Sequence, residues 1–171
     1  MLYLAIISLI LALSLFFIAF RQRRIAGLPA GKVIYVDASQ WQKVEKPLYD
    51  RDLRLTGKPD YLVKKGNQVI PVEVKTGHAP REPYPWHIAQ LVAYCALVER
   101  IYGTRPAHGI LHYADRTLEI GYTRVLEQST ITLIKEMQKR ASQIQIDRSH
   151  RDPPRCIHCG YRSRCDQALR I

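Results

Sequence analysis

The 171-residue sequence lacks several features that mark whole classes of protein. It has no internal repeats or low-complexity tracts, and after residue 20 it has no apolar run long enough to cross a bilayer. A polytopic membrane protein is therefore excluded. About 150 residues remain after that point, enough for one domain with a real core. This length and an ordinary content of charged residues exclude a disulfide-stapled mini-protein, a disordered chain and a multidomain enzyme.

Charge is absent from the first 20 residues, of which 18 are apolar. A helix of this length spans roughly 30 Å, the thickness of the hydrocarbon core. Arg21, Arg23 and Arg24 follow at once, and positive charge tends to stay on the cytoplasmic side. We therefore expect a single-pass membrane protein, with an uncleaved anchor over 1–20 and the domain in the cytoplasm. The alternatives are a buried core helix and a cleaved signal peptide, which carries its basic cluster before the apolar run.

Beyond the anchor, the pattern predicts a basic linker over 21–35, a core over 36–147 and a basic, cysteine-containing tail over 148–171. Predicted strands cover 33–36, 61–65, 68–75, 107–113 and 117–123, and residues 39–55 give no assignable pattern. The second and third strands flank Gly66-Asn67, a pair typical of a tight hairpin turn. Predicted helices cover 86–102, ended by Gly103, and 127–144. This order indicates an α/β domain with a mixed central sheet and flanking helices.

Apolar residues at helical spacing define the predicted core face of each helix. In the first helix they are Ile88, Leu91, Val92, Cys95, Val98 and Tyr102. In the second they are Thr130, Ile134, Met137, Ala141 and Ile144. We expect Cys95 to be a core residue, and His108 and His112, which share one strand face, to have structural roles.

Two carboxylates and a lysine are predicted to meet at the open end of the first hairpin. Asp60 precedes one strand and Glu73-Val74-Lys75 ends the other, so pairing brings these ends together. Glu73 and Lys75 are two residues apart and leave the same strand face. Two carboxylates and a backbone carbonyl suit Mg²⁺ or Mn²⁺. The alternative is an exposed strand whose alternate charges face solvent.

The next helix carries a polar stripe that a plain amphipathic helix does not need. Gln90 and Tyr94 lie one turn apart on one face, with His87 beside them. Together with the acidic pair, this stripe resembles the PD-(D/E)-x-K nuclease superfamily, specifically its RecB-like branch. The matching pieces are Gly57-Lys58-Pro59-Asp60, Glu73-Val74-Lys75-Thr76-Gly77 and Gln90-Leu91-Val92-Ala93-Tyr94.

The resemblance implies a restriction-endonuclease-like core and a set of site residues. It implies that Asp60, Glu73 and the Val74 carbonyl bind the metal ion. It implies that Lys75 serves the hydrolytic water, and that Gln90 and Tyr94 support the site or the DNA. One departure is that the upstream histidine often found in this branch is missing, since the first histidine is His78. Glu45 or Asp50 could replace it, and nothing in the sequence selects one.

The tail holds Cys156, Cys159 and Cys165 within ten residues, spaced C-x₂-C-x₅-C. A reducing compartment favours a metal site over disulfides. The tail resembles the end of the CRISPR-associated exonucleases, which implies a [4Fe–4S] cluster. The fourth, upstream cysteine of that family is missing, because no cysteine precedes Cys95. A Zn²⁺ site completed by His150 or His158, a labile cluster and no metal at all remain open.

Positive charge points to an anionic partner. The formal net charge is +11, and residues 135–171 hold nine Lys+Arg against four Asp+Glu. Such a patch suits a phosphate backbone, or anionic lipid beside an anchor.

Taken together, these features lead us to expect a membrane-anchored, metal-dependent DNA nuclease of exonuclease type. Single-stranded DNA or DNA ends are its expected substrate, and the resemblance adds CRISPR adaptation proteins as partners. The alternatives are a catalytically inactive nucleic-acid-binding module of the same fold and a membrane-surface scaffold protein.

Overall fold

The computed structural model describes residues 8–14, 31–34, 38–144 and 146–169. The chain divides into two compact units, residues 1–132 and 133–171. Helix α1 covers residues 8–14. The strands are β1 (Lys32–Val33), β2 (Trp41–Lys43), β3 (Leu48–Asp50), β4 (Leu55–Gly57), β5 (Tyr61–Lys65), β6 (Gln68–Val74), β7 (His108–His112) and β8 (Thr117–Gly121). The longer helices are α2 (Pro85–Tyr102) and α3 (Arg124–Ala141), and α4 (Pro153–Ile157) is short.

A six-stranded mixed sheet organises the first unit, in the order β1-β8-β7-β6-β5-β2. Strands β6 and β7 are parallel, and the other neighbours in this sheet are antiparallel. Parallel neighbours need a crossover connection, and α2 supplies it. Strands β3 and β4 form a separate antiparallel pair. The predicted α/β class with a mixed sheet and flanking helices is confirmed.

The first hairpin and the first long helix lie close to their predicted bounds. Gly66 has φ +58°, the left-handed conformation that its turn requires. Gly103 ends α2 with φ 70° and donates its N–H to the Glu99 carbonyl at 2.9 Å. Tyr102 was predicted to face the core, and this is wrong: it is 46% exposed, because it is the last residue of the helix.

The two faces of the sheet bury different side chains. One hydrophobic cluster joins α2 to the sheet and includes Ile88, Leu91, Cys95, Leu111 and Ile120. A second cluster consists of Val63, Ile70, Val72 and Ile110. Because successive strand residues alternate between faces, Val72 and Glu73 point to opposite sides of β6. Glu73 therefore faces α2.

The second long helix begins three residues earlier than predicted and ends three residues earlier. Leu126 and Thr130 are buried in the first unit, and Ile131 packs against its core. The predicted core stripe fails further along, because Met137 is 61% exposed and Ile144 lies beyond the end of the helix.

The part of the chain that the structure describes does not contain the predicted transmembrane anchor. Among the described residues, no helix is both long enough and apolar enough to cross a bilayer. This finding overturns the predicted single-pass location and the membrane as a partner. Residues 1–7 and 15–30, which include most of the anchor and linker predictions, lie outside the described residues, as do residues 35 and 36 of the strand predicted over 33–36.

The second unit contains the end of α3, helix α4 and a 3₁₀ turn over Arg162–Arg164. Its tail forms a loop whose ends are tied together. Arg148 donates its backbone N–H to Gln167 Oε1 at 2.7 Å, and its guanidinium donates to the Gln167 carbonyl. The three tail cysteines lie between these two residues in the sequence.

The close approach of α2 to the sheet gives the first testable prediction. A Cβ atom on Gly109 of β7 would lie 2.6 Å from the Cγ atom of Leu91, which is fully buried. We expect Gly109→Ala to lower the free energy of unfolding by about 1–3 kcal/mol, the usual cost of overpacking. Gly77→Ala is the control, because a Cβ atom on Gly77 would point into open space. Equal urea midpoints for the two variants would contradict this packing.

Candidate active site

The open end of the β5–β6 hairpin brings the two predicted carboxylates together. The register pairs Tyr61 with Val72, so Asp60 lies beside the next residue of β6. The Val74 N–H donates to Asp60 Oδ2 at 2.8 Å. This bond fixes the exposed Asp60 carboxylate against the strand that carries Glu73. Hairpin pairing therefore produces the juxtaposition that the sequence predicted.

Glu73, Lys75 and Gln90 form a closed triangle of hydrogen bonds. The Lys75 ammonium donates to Glu73 Oε1 and to Gln90 Oε1, each at 2.8 Å. The Gln90 amide nitrogen donates to Glu73 Oε1 at 2.8 Å and to the Tyr94 hydroxyl at 2.9 Å. The amide thus turns its oxygen towards the cation and its nitrogen towards the carboxylate, as its chemistry requires.

The electrostatics of the site centre on a largely buried carboxylate. Burial raises the pKa of the Glu73 carboxyl above its usual range; the Lys75 ammonium opposes this shift, and the Asp60 carboxylate adds to it. The Glu73 side chain is only 9% exposed. A carboxylate that is buried beside a second carboxylate in this way favours a bound cation. The donor set of Asp60, Glu73 and the Val74 carbonyl oxygen is the hard oxygen set that Mg²⁺ or Mn²⁺ takes, so the residues fit the implied metal.

Gly57 has no side chain, and this leaves room for the ring of Tyr94. A Cβ atom on Gly57 would lie 2.8 Å from the Tyr94 ring and 3.0 Å from Leu97. Glycine in β4 therefore allows the buried Tyr94 ring to reach the edge of the site. Burial raises the pKa of the Tyr94 hydroxyl, which keeps it a neutral hydrogen-bonding group. The glycine of the Gly57–Asp60 motif thus has a packing role beside the site.

The replacements considered for the missing upstream histidine do not join the carboxylates. Asp50 Oδ1 accepts the Leu53 N–H at 2.8 Å and lies 3.7 Å from Arg100. Glu45 is exposed. In the part of the chain that the structure describes, no three His, Cys, Asp or Glu side chains group as metal ligands would. Asp60 and Glu73 therefore have no third side-chain ligand of these types among those residues.

The histidines and Cys95 have structural surroundings. His112 Nδ1 lies 2.8 Å from Thr117 Oγ1, and His108 Nδ1 lies 3.7 Å from Glu119. Cys95 is 1% exposed, which confirms its predicted place in the core, and burial raises the pKa of its thiol. A buried thiol of raised pKa is a poor nucleophile.

The tail cysteines are not assembled as a metal centre in the described part of the second unit. Cys156 is buried and accepts the Leu169 N–H at 3.5 Å, whereas Cys159 and Cys165 are exposed. His150 Nδ1 accepts the Asp152 N–H at 3.3 Å. As placed, these residues do not fit a cluster or a zinc ion, and their role as ligands stays a prediction.

Sequence reasoning missed an aromatic group at the start of α2. His87 Nδ1 lies 2.8 Å from the hydroxyl of buried Tyr113, and the rings of Tyr84 and Trp86 stack in front of it. Tyr113 is distant in sequence, and no local pattern announces its pairing with His87. The available signal was spacing, because Trp86 lies four residues before Gln90 and extends its stripe by one turn.

Comparison with known proteins agrees with this geometry. The family model described as the PD-(D/E)XK nuclease superfamily matches residues 13–166. A protein named CRISPR-associated exonuclease Cas4, from Thermoproteus tenax, is 29% identical over 116 residues, which are 65% of this chain and 59% of the relative. The chain thus matches less than two thirds of that relative's length. The region matched by the family model includes the whole hydrogen-bonded site, and the chain belongs to the PD-(D/E)XK nuclease superfamily.

Proposed function

We propose that the protein is a divalent-metal-dependent deoxyribonuclease that digests DNA from an end. The observation that carries this proposal is the contact network of Asp60, Glu73, Lys75, Gln90 and Tyr94. Membership of a nuclease superfamily and similarity to a named exonuclease support the reaction and its DNA substrate. The same similarity supports CRISPR adaptation proteins as partners.

In this proposal, Asp60, Glu73 and the Val74 carbonyl hold Mg²⁺ or Mn²⁺. A bound divalent cation lowers the pKa of water and neutralises charge that grows on the phosphodiester. Lys75 orients the attacking water or donates to the scissile phosphate. Its ammonium contacts Glu73, and the Lys75 side chain is 20% exposed. Gln90 is a positioning residue, because it holds Glu73 and Lys75 at a fixed separation and is itself held by Tyr94.

The assignment of Glu73 and Lys75 can be tested with the full chain, Mn²⁺ and end-labelled single-stranded DNA. We expect Glu73→Ala to abolish cleavage, because it removes a metal ligand. Lys75→Ala should reduce the cleavage rate by about 10²- to 10⁴-fold, the usual contribution of a group that assists proton transfer. Both variants should still bind DNA, because phosphate contacts across a basic surface supply most of the affinity. Lys64→Ala, which removes an exposed lysine from β5, is the matched control and should cleave normally.

A Glu73→Ala protein that cuts DNA as fast as the parent would end this assignment. If the parent binds DNA but cuts none with either metal ion, the chain is the inactive nucleic-acid-binding module.

Circular single-stranded DNA distinguishes exonuclease from endonuclease action. An enzyme that needs an end leaves the circle intact while it degrades the linear form, and cleavage of the circle would contradict exonuclease action.

The tail gives a separate prediction. If Cys156, Cys159 and Cys165 ligate a metal, the anaerobically purified chain should contain iron or zinc in near-stoichiometric amount. The triple Cys→Ser variant should lose the metal and unfold more easily, because the binding energy of a structural metal is folding energy. Cys95→Ala is the control and should keep the metal. Elemental analysis decides the identity: iron with visible absorption indicates a [4Fe–4S] cluster, and colourless protein with zinc indicates Zn²⁺. A parent protein that contains no metal and is no more stable than the triple Cys→Ser variant contradicts the prediction.

A further inference from the structure

Two exposed aromatic rings stand stacked at the beginning of α2. The centroids of Tyr84 and Trp86 are 4.5 Å apart and their planes differ by 6°. Tyr84 is 43% exposed and Trp86 is 62% exposed. Scattered exposed apolar residues are normal on a protein surface. A parallel pair is different, because its outer faces remain available to a further flat ring.

The ring pair is rigidly mounted on the core. Pro85 lies between the two residues in the first turn of α2, and the His87 N–H donates to the Tyr84 carbonyl at 3.0 Å. The imidazole of His87 meets both rings edge-on, at centroid distances of 5.3 Å and 6.0 Å. His87 Nδ1 lies 2.8 Å from the hydroxyl of Tyr113, which is 2% exposed. Ordering these rings for a ligand therefore costs little conformational entropy.

The loop that leads to the pair is also fixed. Asp115 Oδ1 accepts the Ala79 N–H at 2.6 Å, and the Ala114 N–H donates to the Gly77 carbonyl at 3.2 Å. These bonds tie the chain just after β6 to the β7–β8 turn. The segment that joins Lys75 to Trp86 is thus anchored at both ends.

The pair lies next to the hydrolytic residues. Trp86, Gln90 and Tyr94 are spaced four residues apart, so they form one row along α2 with Cβ atoms about 5–6 Å apart per step. Gln90 contacts both Glu73 and Lys75. The Lys75 ammonium also acts on His87, whose pKa is lowered by burial and by that charge. Trp86 therefore stands one helical turn from Gln90, the residue that contacts both proposed reacting groups.

We propose that Tyr84 and Trp86 form a stacking platform for an unpaired base of single-stranded DNA. The proposal rests on the proposed nuclease function and specifies the form of the substrate. An unpaired base has two free π-faces, whereas a duplex hides its base faces inside its own stack. Stacking on aromatic side chains tolerates every base and is worth about 1–3 kcal/mol per base by alanine substitution. A strand held by one base beside Gln90 presents its backbone to the basic protein, whose net charge is +11.

Tryptophan fluorescence tests the platform without any cleavage. The chain has two tryptophans, so Trp41→Phe leaves Trp86 as the reporter. We expect oligothymidylate, added in EDTA to the full chain, to quench Trp86 emission. A blunt-ended hairpin duplex should quench it far less. Binding detected by anisotropy without quenching, or no binding of the oligonucleotide at all, would overturn the proposal.

Matched variants test how much the platform contributes to affinity. We expect Trp86→Ala to weaken binding of the oligonucleotide by about 5- to 140-fold in Kd, which is the stacking contribution converted at tenfold per 1.4 kcal/mol. Trp86→Phe keeps a ring and should restore most of the affinity. Ile101→Ala is the control, because it removes another exposed apolar side chain from α2 and should leave Kd unchanged. Equal Kd values for Trp86→Ala and the parent would refute the platform.

The platform and the nuclease function fail in different ways. If oligothymidylate quenches Trp86 and the parent chain cuts no DNA with Mn²⁺, the platform stands and the enzymatic proposal falls. If the parent chain cuts single-stranded DNA, and Trp86→Ala cuts it with unchanged KM and kcat, the enzyme stands and the platform falls.

Discussion

The side-chain amide of Gln90 is the contact on which the geometry of the site depends. An amide offers an acceptor and a donor at a fixed separation. Here the acceptor receives the Lys75 ammonium, and the donor reaches Glu73 and the Tyr94 hydroxyl. Without it, the direct 2.8 Å contact between the ammonium and the buried carboxylate would have no bond from α2 to fix its orientation. From helix α2 the amide bonds both members of the pair and holds them in place, and Tyr94 holds the amide.

Sheet topology explains why a helix residue can reach two strand residues. Because β6 and β7 are parallel, the chain must cross between them, and α2 makes that crossing over the sheet face on which Glu73 and Lys75 lie. Glycines allow the approach to be close. Gly109 leaves room for Leu91, and Gly57 leaves room for Tyr94. Close packing of α2 against the strands therefore brings the polar side chains of the site within hydrogen-bond distance.

Local signals in the sequence predicted the elements that carry the site. The Gly66 turn and the Gly103 C-cap are encoded by single residues that accept a positive φ, so these boundaries were found to within a residue or two. Strands β2, β3 and β4 have three residues each, too few to show a period, and they were missed. The apolar run over 1–20 satisfied the length and hydropathy expected of a membrane span, but no helix among the described residues is long and apolar enough to be one.

The site itself was predictable only in part. Asp60 and Glu73 meet through a hairpin, and a hairpin register follows from its turn. The contact of Gln90 on α2 with Glu73 on β6 joins residues that are distant in sequence, and only the family resemblance predicted it. The pairing of His87 with Tyr113, and the stacked rings that it supports, depend on how β7 ends beneath α2, which no local pattern shows.

Binding of Mn²⁺ to the full chain tests most directly whether these carboxylates form a metal site. Lys75 occupies Glu73 Oε1 and therefore competes with the ion for it. We predict by calorimetry one Mn²⁺ bound per chain at the site, lost in Glu73→Gln and at least as tight in Lys75→Met as in the parent. Unchanged Mn²⁺ binding by Glu73→Gln, or no binding by the parent, would contradict the assignment.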